Sequence, residues 1–147
     1  MKVLVTGVKG QLGFDLMNEL KEKINASIIF ITHDLGVIAE MSDRVMVMYA
    51  GKVAEVASVR DIFKDPRHPY TVGLISSKPD MNTTADRLHV IPGHVPHLNN
   101  RPSGCPFHPR CDRATDRCRE SFPPFFDVGG DHCVACWLYE KEGTVHE

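Results

Sequence analysis

The sequence predicts an α/β fold, and three patterns along the chain support this prediction. The apolar runs Lys2–Thr6 and Ile28–Thr32 have the composition of buried strands. Between them, Gln11–Ile24 carries a leucine or isoleucine at every fourth residue, which is typical of an amphipathic helix. Strand, helix and strand in this order predict a βαβ unit with parallel strands. The wholly apolar run Val45–Tyr49 predicts a further buried strand.

Local signals then predict the elements that follow. Asp34 stands where it can cap a short helix. The turn at Ala50-Gly51 leads from the apolar strand into Lys52–Val56, whose alternation is that of a hairpin partner. Two more helices are predicted, over Val59–Lys64 and Pro69–Ser77, each followed by a proline that ends it.

The last third of the chain has a different composition. Beyond Lys78 it carries eight prolines and no long periodic segment, and all five cysteines lie there. Such a segment buries little apolar surface, so we expect the cysteines to help order it.

The length, the net charge and the apolar pattern of the chain argue against several classes of function. The chain has 147 residues and a formal net charge of −2, which argues against a nucleic-acid binder. No apolar run approaches the roughly 20 residues that span a bilayer, and no signal peptide is recognisable, so the sequence predicts a cytosolic protein. Clustered cysteines in a cytosolic chain favour a metal or cluster site over disulfides.

The cysteines form one extended pattern. Cys105, Cys111, Cys118 and Cys136 follow the spacing C-x5-C-x6-C-x17-C, and Cys133 makes an additional C-x-x-C pair with Cys136. Four thiolates can enclose a zinc ion or an iron–sulfur cluster. The spacing does not decide between the two, although the single short pair mildly disfavours zinc.

A histidine follows the second predicted strand. Ligand chemistry in open α/β sheets lies at the carboxyl ends of the strands, where His33 would meet a phosphate oxygen or a water. On position alone, a surface histidine bonded to the neighbouring loop is the favoured alternative.

Several motifs resemble one family. "SIIFITHDLGVIAEMSDRVMVMYAGKVAE" resembles the switch-histidine region of ABC-transporter ATPase subunits. "DPRHPYT", "LHVIPGHVP", "PSGCPFHPRC" and "ACWLY" resemble the C-terminal extension of the ATP-binding subunits of dipeptide and oligopeptide importers. The resemblance is collinear and covers about residues 15–143.

The resemblance implies a role for His33 as the switch histidine that reaches the γ-phosphate of ATP. It further implies ATP and Mg²⁺ as ligands, membrane-embedded permease subunits and a second ATP-binding subunit as partners, and a place on the inner face of the cell membrane. The phosphate loop G-x-x-x-x-G-K-S/T, the magnesium-binding Asp-Glu strand and the Ser-Gly-Gly-Gln signature are absent from the sequence. Phosphoryl transfer needs those parts together, so we expect no ATP hydrolysis by this chain alone.

The same resemblance implies a [4Fe-4S] cluster held by the matching positions Cys105, Cys111, Cys118 and Cys136, with zinc as the alternative. Cys133 falls where the family has other residue types, and we expect it to be a bystander, with a substitute ligand as the alternative.

The first thirteen residues, "MKVLVTGVKGQLG", resemble instead the opening of extended short-chain reductases of the dehydrorhamnose type. Gly7, Gly10 and Gly13 have the spacing that lets a backbone approach a dinucleotide pyrophosphate. This resemblance implies an NAD(P)-binding module as the alternative function. No Tyr-x-x-x-Lys pair of such reductases is present: Tyr49 and Lys52 are one residue too close.

The two resemblances together predict three segments: a reductase-like start over residues 1–14, the remnant of an ABC ATPase domain over 15–78, and a cysteine-bearing extension over 79–147. A fusion product that keeps only a cluster-bearing interaction domain is the third functional hypothesis.

Overall fold

The computed structural model describes residues 19, 23, 28–29, 31–77, 90–141 and 144–146. It divides the chain into two compact units, Met1–Val37 and Ile38–Glu147. The α-helices of the described residues are α1 (Leu35–Met41), α2 (Val59–Lys64), α3 (Pro69–Ser76) and α4 (Asp116–Glu120). The strands are β1 (Arg44–Tyr49), β2 (Lys52–Ser58), β3 (Phe125–Asp127), β4 (Cys133–Val134) and β5 (Thr144–His146).

The five strands form one antiparallel sheet in the order β1-β2-β4-β3-β5. The two-residue strand β4 lies between β2 and β3, with Val134 opposite Glu55 on one side and Phe126 on the other. Strands from the last third of the chain therefore complete a sheet that begins in the hairpin.

Most of the predicted βαβ unit lies outside the described residues. Lys2–Thr6, Gly7, Gly10 and Gly13 lie outside the described residues, and Glu19 and Lys23 are the described part of the predicted helix, joined by an ion pair of 2.6 Å. The prediction of a buried strand over Ile28–Thr32 is wrong for its described residues. They form no strand, and Ile29 and Ile31 are 82% and 93% exposed. The physical reason is that no strand of the described sheet pairs with this segment, so its backbone has no ladder to join.

The hairpin prediction is confirmed. Ala50 and Gly51 have φ angles of 46° and 76°, the positive values that a two-residue hairpin turn of type I′ requires. The prediction that Val45–Tyr49 is a buried strand is wrong for one of the two faces of β1, which is exposed. Met46 and Met48 are more than half exposed, whereas Val47 and Tyr49 are buried.

The two helices after the hairpin are also confirmed, and their first residues explain where they begin. The Ser58 hydroxyl accepts a hydrogen bond from the Asp61 amide at 3.1 Å and caps α2. In α3, Pro69 is the first helical residue, and the Nδ1 atom of His68 accepts a hydrogen bond from the Tyr70 amide at 3.0 Å. Buried Ile62 of α2 packs with Val47 and Ala57 of the hairpin.

The helix after His33 begins as predicted. The Asp34 carboxylate accepts hydrogen bonds from the amides of Gly36 at 2.9 Å and Val37 at 3.3 Å, which is the geometry of an N-cap. No helix of the described ranges is both long and apolar enough to cross a lipid bilayer.

Candidate functional site

Four cysteines line one cavity in the second unit. Cys105, Cys111, Cys118 and Cys136 all contribute to the wall of this cavity, which is partly open to solvent. We call it the cysteine cavity; its other lining residues include His68, Phe107, His108, Arg113, Trp137 and Leu138. The structure thus brings together the four cysteines that the sequence predicts as ligands, from three separate parts of the last third of the chain.

Tight backbone turns hold the first three of these cysteines. The Cys105 amide donates to the Cys118 carbonyl at 2.8 Å, which ties the first loop to α4. Gly104 precedes it with φ of 65°, a left-handed conformation that only glycine adopts without strain. Cys111 ends the short 3-10 helix His108–Arg110, and its amide donates to the His108 carbonyl at 3.3 Å.

The fourth cysteine comes from the sheet. Cys136 directly follows β4 and Ala135, whose amide donates to the Ala54 carbonyl of β2 at 2.8 Å. Strand β4 therefore anchors Cys136 to the hairpin. Buried Phe126 and Val134 pack around Cys136, with the half-buried Trp137 against them.

Burial dominates the acid–base properties of these thiols. It raises the pKa of Cys136 to about 12, and it raises the pKa values of Cys105 and Cys111 as well. Backbone hydrogen bonds from Phe107, Arg113 and Leu138 offset part of this rise in pKa, because they stabilise the thiolates. Without a bound cation the thiols of Cys105, Cys111 and Cys136 stay protonated at neutral pH, so a cation must displace their protons to be bound.

Cys133 lies elsewhere. It belongs to β4 and does not line the cysteine cavity. The charged groups that act on its pKa are Asp127, Arg44 and Asp131, after burial, which raises that pKa most.

The four thiols line one cavity without forming a recognisable metal site: in the residues that the structure describes, no three or more His, Cys, Asp or Glu side chains form a group that could hold a metal ion. The ligand set that the resemblance implies therefore stays a prediction.

Sequence reasoning missed a buried polar network beside the cavity. Glu55 of β2 has no exposed surface, and its carboxylate accepts hydrogen bonds from the amides of Arg67 at 2.7 Å and His68 at 2.9 Å. Its Oε1 atom is also 2.6 Å from Nε2 of His132, which is equally buried. One carboxylate thus joins the hairpin, the turn before α3 and the loop before β4. No signal in the sequence marks Glu55, because a charged residue in a hairpin strand is expected to face solvent.

The neighbour of this network, His68, lies between the carboxylate and the cysteine cavity. It is 3% exposed, and burial lowers its pKa to about 4 against the opposing effect of Glu55. The sequence places His68 before a helix-starting proline but shows no chemistry for it. The structure makes it both a helix cap and part of the cavity wall.

His33 lies in the first unit, exposed and directly before the Asp34 cap of α1. The helix cap holds the backbone that follows His33, so the histidine is presented at the start of a helix rather than at the end of a strand.

Comparison with known proteins identifies the region that carries the cavity. Residues 54–118 match the family model described as "Oligopeptide/dipeptide transporter, C-terminal region". The chain is 48% identical over 130 residues to the oligopeptide transport ATP-binding protein AppD of Bacillus subtilis (strain 168), covering 88% of this chain and 40% of that protein.

Two further relatives agree with this match. Identity is 49% over 134 residues with the oligopeptide transport ATP-binding protein OppD of the same bacterium, covering 90% of this chain and 37% of that protein. It is 45% over 126 residues with the dipeptide transport ATP-binding protein DppD of Caldanaerobacter subterraneus subsp. tengcongensis, covering 86% and 39% respectively. The chain therefore spans about two fifths of the length of the curated relatives that it matches.

Proposed function

Because the chain carries the C-terminal region found in ATP-binding subunits of oligopeptide and dipeptide ABC transporters, we propose that it acts as the C-terminal part of such a subunit in a peptide importer. The family match over residues 54–118 is the observation that carries this proposal. Its partners would be the membrane-embedded permease subunits and a second ATP-binding subunit, and its place the inner face of the cell membrane.

In this function His33 contacts the γ-phosphate of an ATP molecule that other parts of the importer hold. Its exposure and its position at the start of α1 support this role. The sequence contains no phosphate loop, so we expect no ATP hydrolysis by the isolated chain.

Cell fractionation tests the proposal. We expect the chain to sediment with the membranes of its native cells and to be cross-linked there to integral membrane proteins, because the permease subunits hold it. Thermal-shift assays run in parallel should show no stabilisation of the purified chain by NADPH. A chain that stays in the supernatant and is stabilised by NADPH would overturn the transporter function in favour of the dinucleotide-binding alternative.

We further propose that Cys105, Cys111, Cys118 and Cys136 hold a [4Fe-4S] cluster in the cysteine cavity. Two observations support this: the four thiols line one cavity, and Cys133 does not line it. The cluster would supply a cross-link between loops that the small apolar clusters of this region hold only weakly. The role of the cluster would be structural, because its bonds to the four thiolates would order the cysteine-bearing loops.

Metal analysis of protein purified without oxygen tests the cluster. We expect iron and acid-labile sulfide in equal amounts, and their loss in Cys111→Ala, since one thiolate ligand is then missing. Cys133→Ala is the matched control and should retain both. Zinc in place of iron would contradict the cluster, and equal loss of iron in the two variants would contradict the ligand set.

A further inference from the structure

Trp137 lies between the cysteine cavity and solvent. It directly follows Cys136, and its half-buried side chain lines the cavity. The side chain packs against two apolar clusters, one that contains Cys105 and one that contains Cys136. The guanidinium of Arg117, whose side chain is about half exposed, lies over the indole ring with its Cζ atom 3.8 Å from the ring centroid. A ring that lines the cavity and is covered by an exposed arginine separates the cavity from solvent.

Arg117 joins two elements that each carry a cysteine of the cavity. It lies in α4 directly before Cys118, and its guanidinium pairs with Glu140, three residues after Trp137. The ring contact and the ion pair together connect α4 to the 3-10 helix that begins at Trp137. The Nε1 atom of Trp137 also donates a hydrogen bond to the Ser121 carbonyl, just beyond α4, at 3.0 Å.

These contacts lie at the surface, so each of them stabilises the closed position of the indole only weakly. The thiols behind the ring are much better protected, because Cys105, Cys118 and Cys136 are at most 9% exposed. A reagent larger than water therefore reaches these thiols only when a neighbouring side chain moves. The most weakly held part of the wall is the one that faces solvent.

We propose that Trp137 is a gate of the cysteine cavity and that Arg117 is its latch, so that the thiols become accessible when the latch opens and the indole moves outward. Such a movement is a local opening that leaves the rest of the fold intact. A soft cation or an electrophile that reacts with the thiols would enter by this route. The gate requires no bound metal, so the inference is independent of the cluster proposed above.

Alkylation by iodoacetamide measures how often the gate opens. The full chain is reduced and freed of metal with a chelator, and each cysteine is followed by peptide mass spectrometry. The thiolate sulfur displaces iodide from the CH₂ carbon of the reagent, and the thiol proton passes to water. When opening and closing are fast, the rate follows the population of the open form.

We expect Arg117→Ala to raise the alkylation rates of Cys118 and Cys136 about tenfold, because the ring contact and the ion pair are both lost. The rate of Cys133 in the same sample should not change, because Cys133 does not line the cavity. Salt screens an exposed ion pair, so sodium chloride should accelerate the reaction in the unaltered chain but not in Arg117→Ala.

Arg119→Ala is the matched control. Arg119 lies in the same helix and forms a similar exposed ion pair, with Asp116 at 2.7 Å, whereas Arg117 is the residue that lies over the ring. Its substitution should leave the alkylation rates unchanged. Arg117→Lys keeps a cation for Glu140 but loses the planar group that stacks on the indole, so it should give intermediate rates.

Unchanged or slower alkylation in Arg117→Ala would overturn the inference. A slower rate would assign Arg117 an electrostatic role, because a cation beside a thiol favours the reactive thiolate. A faster rate that rises steeply at low urea concentrations would also overturn it, since that dependence indicates global unfolding. A faster rate that is nearly independent of urea supports the gate. If Arg117→Ala does not fold, the unaltered chain decides: alkylation that does not respond to salt excludes the latch.

Discussion

Replacing Glu55 by alanine is expected to lower the free energy of unfolding by about 3–5 kcal/mol, because it breaks a buried charged network on one side only. The carboxylate has no exposed surface and accepts from the amides of Arg67 and His68. Its loss leaves both amides and the buried ring of His132 without their acceptor. Urea unfolding followed by circular dichroism measures the effect.

An exposed ion pair supplies the control for Glu55. Glu140 pairs with Arg117, and both side chains are nearly half exposed, so Glu140→Ala should cost less than about 1 kcal/mol. Glu55→Gln should fall between the two, since one oxygen acceptor is retained. Equal effects of Glu55→Ala and Glu140→Ala would show that the buried carboxylate does not join the hairpin to the cysteine-bearing region.

Gly104→Ala is expected to destabilise the chain by about 3 kcal/mol or more and to abolish iron binding. A β-carbon on Gly104 would lie 2.3 Å from the Cys118 carbonyl oxygen and 2.9 Å from the carbonyl carbon and oxygen of Arg119. These are backbone atoms and cannot rotate away, so the loop must separate from α4. The same change breaks the 2.8 Å hydrogen bond between the Cys105 amide and the Cys118 carbonyl, and with it the spacing of two proposed ligands.

The control for Gly104 is a glycine with the same backbone conformation and open space around it. Gly130 has φ of 67°, against 65° for Gly104, and an added β-carbon would meet no atom within 4 Å. Gly130→Ala should therefore cost only the conformational strain, about 1–2 kcal/mol, and leave iron binding intact. If the two substitutions have the same effect on stability and on iron content, steric contact at Gly104 is not what shapes the cavity.

The parts of the fold that the sequence predicts are those specified by neighbouring residues. In the turn at Ala50-Gly51, Gly51 takes a positive φ freely and Ala50 takes one at a cost. The starts of α2 and α3 need only a capping side chain or a proline. Each of these signals involves fewer than about five neighbouring residues, so it can be recognised without knowledge of the rest of the fold.

The strands of the last third could not be predicted in the same way. Phe125–Asp127, Cys133–Val134 and Thr144–His146 have three, two and three residues, too few for a period to be recognised. They form strands because of what they pair with, far along the chain. The error at Ile28–Thr32 has the opposite origin. An apolar run predicts a strand, but a strand forms only where another strand pairs with it.

The residues of the candidate site also divide into those that a sequence pattern predicts and those that it does not. Clustered cysteines in a proline-rich segment predict a metal or cluster site, which stays a prediction; the structure places the four proposed ligands in the wall of one cavity. Glu55, His68 and His132 carry no such mark, because each is a polar residue whose burial arises only when the hairpin, the turn before α3 and the loop before β4 meet. Burial of polar groups is a property of the assembled fold and not of any local pattern.

The position of β4 in the middle of the sheet has a consequence for biosynthesis. While the polypeptide emerges from the ribosome, the hairpin can form early, but one side of β2 remains an uncovered template until residue 134 has been made. Unpaired edges invite association with other nascent molecules. Strand β4 therefore pairs with β2 late in synthesis. The time until residue 134 has been made sets how long this edge of β2 can associate with other nascent molecules.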